Sequence, residues 1–413
     1  MKKIFLSSLL ATLIATSNFV ISDFSIAQQN STDSQKTQTQ KQSAATNSDF
    51  VFPKPVPPTI DAKSWLLIDM NSGQVLSENA ADERLEPASL TKLMTAYLTF
   101  DAIKQGTLQL NQLINISENA WRTGGSKMFV RVNTQVTVED LIKGMIVQSG
   151  NDACVALAEG IAGNEENFAQ MMNNQAKRLG MTASQFKNAT GLPNPEHYTT
   201  ARDLSILTTA LINDFPEFYK KYYSIKEFTY NNIKQPNRNR LLWLDESVDG
   251  VKTGFTDNAG YCLISSANRD NRRVLSVLLG AKSANGRINE SAKLLNWGYV
   301  AYDSVQIVPA NKVLANLRVW KGEKNEITAK VNQAINLVIP KGYANKVQYN
   351  FVPVTGDENN AGEKLVAPIV KGQILGKIVV SIENKTFMEI PVKSDEQIEQ
   401  GSLWRRFIDS ILM

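Results

Sequence analysis

Histidine is almost missing from this chain: there is one, His197, in 413 residues. Cysteine is nearly as scarce, with two. No zinc site built only from these residue types can reach four ligands, and any Ser-His-Asp triad would have to use His197. No metal or cofactor is expected. Two cysteines in so long a chain are no disulfide framework, and Cys154 and Cys262 read as buried free thiols, although a bridge between them stays open. An excess of one charge is also lacking. The 44 Lys+Arg against 40 Asp+Glu leave a net charge of +4, which over this length argues against a dedicated nucleic-acid binder. A long unbroken apolar run is absent too. The stretch from Ile4 to Ile21 is interrupted by Ser7, Ser8, Thr12, Thr16, Ser17 and Asn18, which argues against a membrane anchor. With Met1-Lys2-Lys3 before it and Ser25-Ile26-Ala27 ahead of Gln28, it reads as a cleaved signal peptide over residues 1–27, so export is expected.

What is present is globular. Hydrophobic residues make up 43% and charged residues 20%, close to the average for folded domains. The length exceeds one typical domain of about 100–200 residues, so two are expected. Residues 28–58 are polar and then proline-rich (Phe52-Pro53-Lys54-Pro55-Val56-Pro57-Pro58) and read as a tether. Ser64 to Met70 and Gln74 to Glu78 look like strands around an Asn71-Ser72-Gly73 turn. Residues 89–104 have apolar residues on nearly every face, the pattern of a buried helix. Helices are also expected from the capping box Thr137-Val138-Glu139-Asp140 to Val147, over about 152–161 with Gly163 just beyond, over about 165–179 with a stop at Gly180, and over about 289–303. Strands Gly250 to Thr256, Tyr261 to Ala267 and Arg273 to Ala281 separate the last two. The order is that of an α+β or three-layer domain spanning about 59–305. From about 310 to 393 the chain is β-rich without long helical patterns, a small all-β domain. Residues 394–413 end in a helix whose Leu403, Trp404, Phe407, Ile408, Ile411 and Leu412 share one face. The polar stretch Lys393 to Ser402 would detach it from the core and leave it to lie on a membrane.

Three short motifs carry chemistry. Ser89-Leu90-Thr91-Lys92 puts an amine one helical turn from a hydroxyl. A serine needs a base, and a lysine with a lowered pKa can serve. The same spacing occurs at Ser184-Gln185-Phe186-Lys187, but Ser89 begins an apolar helix, where the helix end favours developing negative charge. Ser149-Gly150-Asn151 lies in a tight connection between two helices. Lys252-Thr253-Gly254 lies in a strand, where glycine lets a ligand approach the backbone. Singly these motifs are indifferent; an exposed strand lysine is the plain reading of Lys252.

Together, in this order, they form the set of the active-site serine penicillin-recognising enzymes. The sequence resembles the D-alanyl-D-alanine carboxypeptidases, the low-molecular-mass penicillin-binding proteins, over nearly the whole chain from about residue 59. The resemblance extends to Gly125-Ser126-Lys127-Met128-Phe129, Asp152-Ala153-Cys154, Gly191-Leu192-Pro193, His197 to Asp203, Asn237-Arg238-Asn239 and Gly286-Arg287. It implies a penicillin-recognising transpeptidase-like domain, an antiparallel sheet flanked by helices. It implies a substrate, a peptidoglycan stem peptide ending in D-Ala-D-Ala, and covalent capture of β-lactams. Ser89 would be the nucleophile and Lys92 its base. Ser149 would relay a proton to the leaving amine. Asn151 would hold Lys92 and the substrate, Lys252 would keep the site positive, and Thr253 and Arg287 would bind the terminal carboxylate. The backbone N–H groups of Ser89 and Phe255 would form the oxyanion hole.

His197 reads as structural, Cys154 as packing, and Arg238 equally as a second anion contact or a salt-bridge partner. The resemblance places the protein at the periplasmic face of the cytoplasmic membrane, held by the terminal helix on lipid. A class A β-lactamase is the nearest rival; it needs a glutamate for its deacylating water, and only Glu196 stands in the corresponding stretch. A non-catalytic scaffold would show a broken motif, and none is broken.

Overall fold

The computed structural model describes residues 54–357 and 360–413; the expected signal peptide and most of the tether lie outside them. β1 (Ser64–Asp69) and β2 (Val75–Asn79) form the expected hairpin. Its turn closes on Asp69, whose carboxylate accepts from the Ser72 N–H and hydroxyl at 2.9 Å each, and on Gly73 at φ +74°. β3 (Val248–Thr256), β4 (Gly260–Arg269) and β5 (Arg272–Ala281) complete an antiparallel sheet of order β2-β1-β5-β4-β3. Successive residues of a strand face opposite sides, and here both sides are buried. Leu66, Ile264, Leu275, Val277 and Leu279 enter one core, whereas Leu67, Leu263, Val274 and Leu278 enter the other.

The first core is built by helices α1 (Lys92–Lys104), α2 (Val138–Val147), α3 (Asn151–Ala162), α4 (Glu165–Leu179) and α5 (Ala201–Asp214). α1 is buried from Lys92 to Phe100, as an all-round apolar helix must be. The predicted punctuation holds. Thr137 Oγ1 caps α2 by accepting the Asp140 N–H at 3.1 Å, and Gly163 and Gly180 end α3 and α4 in the left-handed conformation at φ +80° and +83°. The second core is covered by α6 (Ala284–Ala301), which packs on β4 and β5. The result is three layers: helices, sheet, helix. α6 starts earlier than the predicted 289, because its first turn, Ala284-Asn285-Gly286-Arg287, has no apolar rhythm. Ser283 caps it by accepting the Gly286 N–H at 2.9 Å. This earlier start is what brings Arg287 to the end of the sheet.

A buried ion pair ties sheet, helix and the next segment together. Arg272 Nε donates to Asp69 at 2.7 Å, Nη2 to the Gly298 carbonyl and Nη1 to the Tyr302 carbonyl at 3.0 Å each.

The all-β part has its own core. Its longer strands are β6 (Tyr302–Val308), β7 (Lys312–Trp320), β8 (Glu326–Val331), β9 (Ile335–Pro340), β10 (Val347–Pro353), β11 (Ile374–Ile382) and β12 (Lys385–Lys393). β6 already pairs with β9, so strand structure begins before residue 310. It follows α6 without turn residues to mark the change. Between Glu326 and Pro340 the chain forms two strands, β8 and β9, broken at residues 332–334.

The terminal helix α7 (Leu403–Leu412) departs from expectation in its tether. Residues 394–402 are not detached. Ile398 is fully buried in the β core, and it bridges to Ile369 while Gln400 bridges to Gly322. One buried isoleucine among polar residues was too little apolar signal to show this. α7 docks by its polar side: the Asp409 carboxylate, 6% exposed, accepts the Lys321 N–H, and Arg405 reaches Asn325. The predicted apolar face points outward, with Leu403 81% and Trp404 72% exposed. No helix among the described residues is long and apolar enough to cross a membrane.

Candidate active site

The chain Pro87-Ala88-Ser89-Leu90-Thr91 forms a short 3-10 turn over Ala88–Thr91 that runs straight into α1. Ala88 takes φ +47°, a strained value for a residue with a side chain. The turn sets Ser89 at the mouth of a cleft of about 470 Å³. Lys92 lies beneath it, 1% exposed. Its Nζ donates to Ser89 Oγ at 3.0 Å, to Asn151 Oδ1 at 2.7 Å and to the Thr190 carbonyl at 2.5 Å. Burial in the core pulls its pKa down to about 8, and the nearby Arg238 pulls the same way.

Ser149 closes the connection between α2 and α3 at φ +64°. Its Oγ accepts from Lys252 Nζ at 2.9 Å, and the same amine donates to the Thr253 carbonyl at 2.9 Å. Lys252 is also buried, and burial first and the Lys92 charge second hold it well below the usual lysine range. Asn151 opens α3. Its side-chain amide donates to the Gly124 carbonyl at 2.7 Å while its oxygen holds Lys92.

Thr253 and Arg287 line the cleft from the other side. Arg287 Nη1 donates to the Gly254 carbonyl at 3.0 Å, and its buried Nε has no hydrogen-bond partner among the described residues. Arg238 lines the same cleft. No carboxylate does among the described residues, so two guanidiniums face an uncompensated space. Phe255 stands at the rim with its ring against Tyr261, centroids 4.4 Å apart. Of the eight residues singled out in the motifs, or implied by the resemblance, six line one cleft, namely Ser89, Ser149, Asn151, Thr253, Phe255 and Arg287, and Lys92 and Lys252 are buried behind it, bonded to Ser89 and Ser149.

The decoy motif goes elsewhere. Ser184 Oγ donates to Asp203 at 2.6 Å, and Lys187 pairs with the exposed Glu196 at 2.7 Å. Glu196 is not among the residues that line the cleft. His197 hydrogen-bonds Thr91 and the Lys187 N–H instead of Ser89 or Lys92; burial first and the Lys92 charge second drop its pKa to about 4. Cys154 and Cys262 are buried and unbridged, with thiols pushed up to about 12 and about 11 by burial.

The roles of three contributors were not legible beforehand, although Asp152 and Gly191 lie in stretches that carry the resemblance. The Thr190 carbonyl is backbone, which no side-chain pattern encodes. The Asp152 carboxylate accepts the N–H groups of Met128 at 2.9 Å, Phe129 at 2.9 Å and Val130 at 3.2 Å. It thereby fixes the Gly124–Met128 loop that forms one cleft wall. Gly191, at φ +84°, lets its loop press against the nucleophile turn: a Cβ there would lie 1.8 Å from the Ala88 carbonyl oxygen. Gly254 works likewise: a Cβ there would sit 3.2 Å from the Pro87 carbonyl. So the close approach predicted for this strand glycine is made by the serine turn itself.

A serine and two depressed lysines in a cationic cleft define a hydrolase of the serine–lysine kind that acts on an anionic acyl compound. The chain belongs to the D-alanyl-D-alanine carboxypeptidase family, whose model matches residues 52–283. A second model, the C-terminal domain of penicillin-binding protein 5, matches residues 302–400. The chain is 41% identical over 363 residues to the D-alanyl-D-alanine carboxypeptidase DacC of Escherichia coli K12, covering 86% of this chain and 89% of that one. Penicillin-binding protein 5 of Haemophilus influenzae superposes with a TM-score of 0.77 at 40% identity, over 84% of this chain and 100% of that chain. Penicillin-binding protein D2 of Listeria monocytogenes, solved in its ampicillin-bound form, matches at 32% identity and a TM-score of 0.55, over 59% of this chain and 100% of that chain.

The contact at Gly191 gives a test. Gly191→Ala must push the Ser89 turn aside, and displacements of about 1 Å near a reacting atom cost on the order of a hundredfold. Its rate of acylation by a fluorescent penicillin should fall by about that factor while the protein remains folded by circular dichroism. An unchanged rate would show that the loop does not press on the turn.

Proposed function

We propose that this protein is a serine-type D-Ala-D-Ala carboxypeptidase that trims the terminal D-Ala from peptidoglycan stem peptides and is acylated by β-lactams. The observation that carries the reading is the buried Lys92 amine 3.0 Å from Ser89 Oγ. Neutral Lys92 takes the Ser89 proton as Oγ bonds to the carbonyl carbon between the two D-Ala residues. Negative charge grows on the carbonyl oxygen, which the N–H groups of Ser89 and Phe255 stabilise. The C–N bond then breaks, and the leaving D-Ala amine takes a proton through Ser149, which Lys252 resupplies; the proton that Lys92 took then restores Lys252. Water cleaves the resulting ester and returns the proton to Ser89.

The substrate ends in a carboxylate, and Thr253 and Arg287 are the groups to hold it; a guanidinium fork suits two oxygens. The incoming anion also favours the charged form of Lys252, whose burial otherwise opposes it. The β-lactamase alternative finds no support, since Glu196 is not among the residues that line the cleft.

The chain organisation that fits this reading is an exported peptidase domain, an all-β domain and a terminal helix that lies on the periplasmic face of the cytoplasmic membrane. α7 is about 15 Å long, half the hydrocarbon thickness, so it can lie on a bilayer but not cross it. Its polar face is taken up by the β domain, which leaves the apolar face for lipid.

Ser89→Ala should abolish both D-Ala release from a pentapeptide and the penicillin adduct. Mass spectrometry of the digested adduct should place it on the peptide containing Ser89, and an adduct on Ser149 or Ser184 would overturn the assignment. Removing residues 401–413 should abolish flotation with anionic vesicles and leave peptide hydrolysis intact. Equal flotation of both forms would place the anchor elsewhere.

A further inference from the structure

The chemistry above leaves His197 without a task, yet it is 2% exposed and fully engaged. Its Nδ1 accepts the Lys187 backbone N–H at 3.4 Å. The ring proton therefore sits on Nε2, 2.9 Å from Thr91 Oγ1. Thr91, fully buried, donates its own hydroxyl hydrogen bond to the Ala88 carbonyl at 2.8 Å. The chain runs in one direction, from amide to imidazole to hydroxyl to carbonyl, with the imidazole and the hydroxyl each accepting one hydrogen bond and donating one. Its end point matters: Ala88 holds the left-handed φ of +47° and is followed directly by Ser89. The loop carrying His197 grips this turn twice more. Thr190 accepts from Lys92, and Gly191 abuts the Ala88 carbonyl. Burial keeps the imidazole neutral down to about pH 4, so its donor stays aimed at Thr91 at any working pH.

We propose that His197 is a positioning residue for the nucleophile: through Thr91 it fixes the Ala88 carbonyl, and with it the turn that aims Ser89 Oγ at Lys92 Nζ. This rests on Ser89 being the acylated group. The competing role is packing, for the ring also stands edge-on to Phe186 with centroids 5.6 Å apart. A phenylalanine keeps the packing and cuts the chain; a glutamine keeps a donor at the same reach.

The test uses the whole enzyme with His197→Phe, Thr91→Val, the double variant and His197→Gln. Active sites are titrated with fluorescent penicillin, and the acylation rate is taken per titratable site. A packing role changes the number of sites or the thermal midpoint but not the rate per site. Positioning predicts a per-site loss of about tenfold or more in His197→Phe and in Thr91→Val, since small misplacements of a nucleophile are costly. The double variant should be no slower than the slower single one, because both cut one chain. His197→Gln should regain most of the rate. An unchanged per-site rate in the singles, or losses that multiply in the double variant, overturns the inference. If His197→Phe gives no folded enzyme, Thr91→Val, which removes one hydroxyl, decides by the same criterion. A wild-type enzyme that is labelled elsewhere than Ser89 removes the underlying reading instead, and this inference with it.

Discussion

The structure turns on a lysine amine taken out of water. Moving an ammonium into a protein interior costs several kcal/mol, and Lys92 is buried at the foot of α1 among core side chains. What offsets that cost is three oxygens on one nitrogen, each from a different part of the chain: Ser89 from the turn, Asn151 from the start of α3, and Thr190 from the loop after α4. Those segments must therefore stay in register. Asp152 does this for the Gly124–Met128 loop and Gly191 for the loop against the turn. A second buried lysine, Lys252, stands across the same cleft on the edge strand β3. The two cannot both carry charge comfortably, and the uncompensated Arg238 and Arg287 add to the pressure. A cleft built this way holds a proton loosely and attracts an anion, the two properties acyl transfer to a carboxylate-bearing substrate requires.

The rest of the fold serves that placement. The sheet has to be buried on both faces, since its strands carry apolar residues on both. α6 covers one face, and its first turn delivers Arg287 to the cleft. The helical core covers the other and delivers Ser89, Lys92 and Asn151. The β domain joins at Tyr302 and by the pairing of Gln74 with Val338, whose N–H and carbonyl it meets at 2.6 and 3.1 Å. Through that domain the outward apolar face of α7 is fixed relative to the cleft rather than swinging on a tether.

Much of this was legible because the local signals agreed with the fold. The capping threonine of α2, the terminal glycines of α3 and α4 and the both-faces-apolar strands all say locally what the tertiary structure confirms. The Ser-x-x-Lys at Ser89 could be preferred over that at Ser184 because only the former opens an apolar helix. Where legibility failed, the deciding contact was made by backbone or by residues distant in sequence. Thr190 acts by its carbonyl and Asp152 by accepting amides some 24 residues away. The first turn of α6 is held by a serine cap and shows no apolar rhythm. Ile398 is a single residue in a polar run, and nothing local says that it fills a core.

The central claim is that neutral Lys92 activates Ser89. The rate of acylation by a penicillin as a function of pH tests it most directly. The neutral fraction of an amine grows as pH rises through its pKa, so the rate should climb between about pH 6 and 9 with a midpoint near 8 and then level off. A rate that is flat or falls across that range would show that a proton is not lost from this lysine before Ser89 attacks.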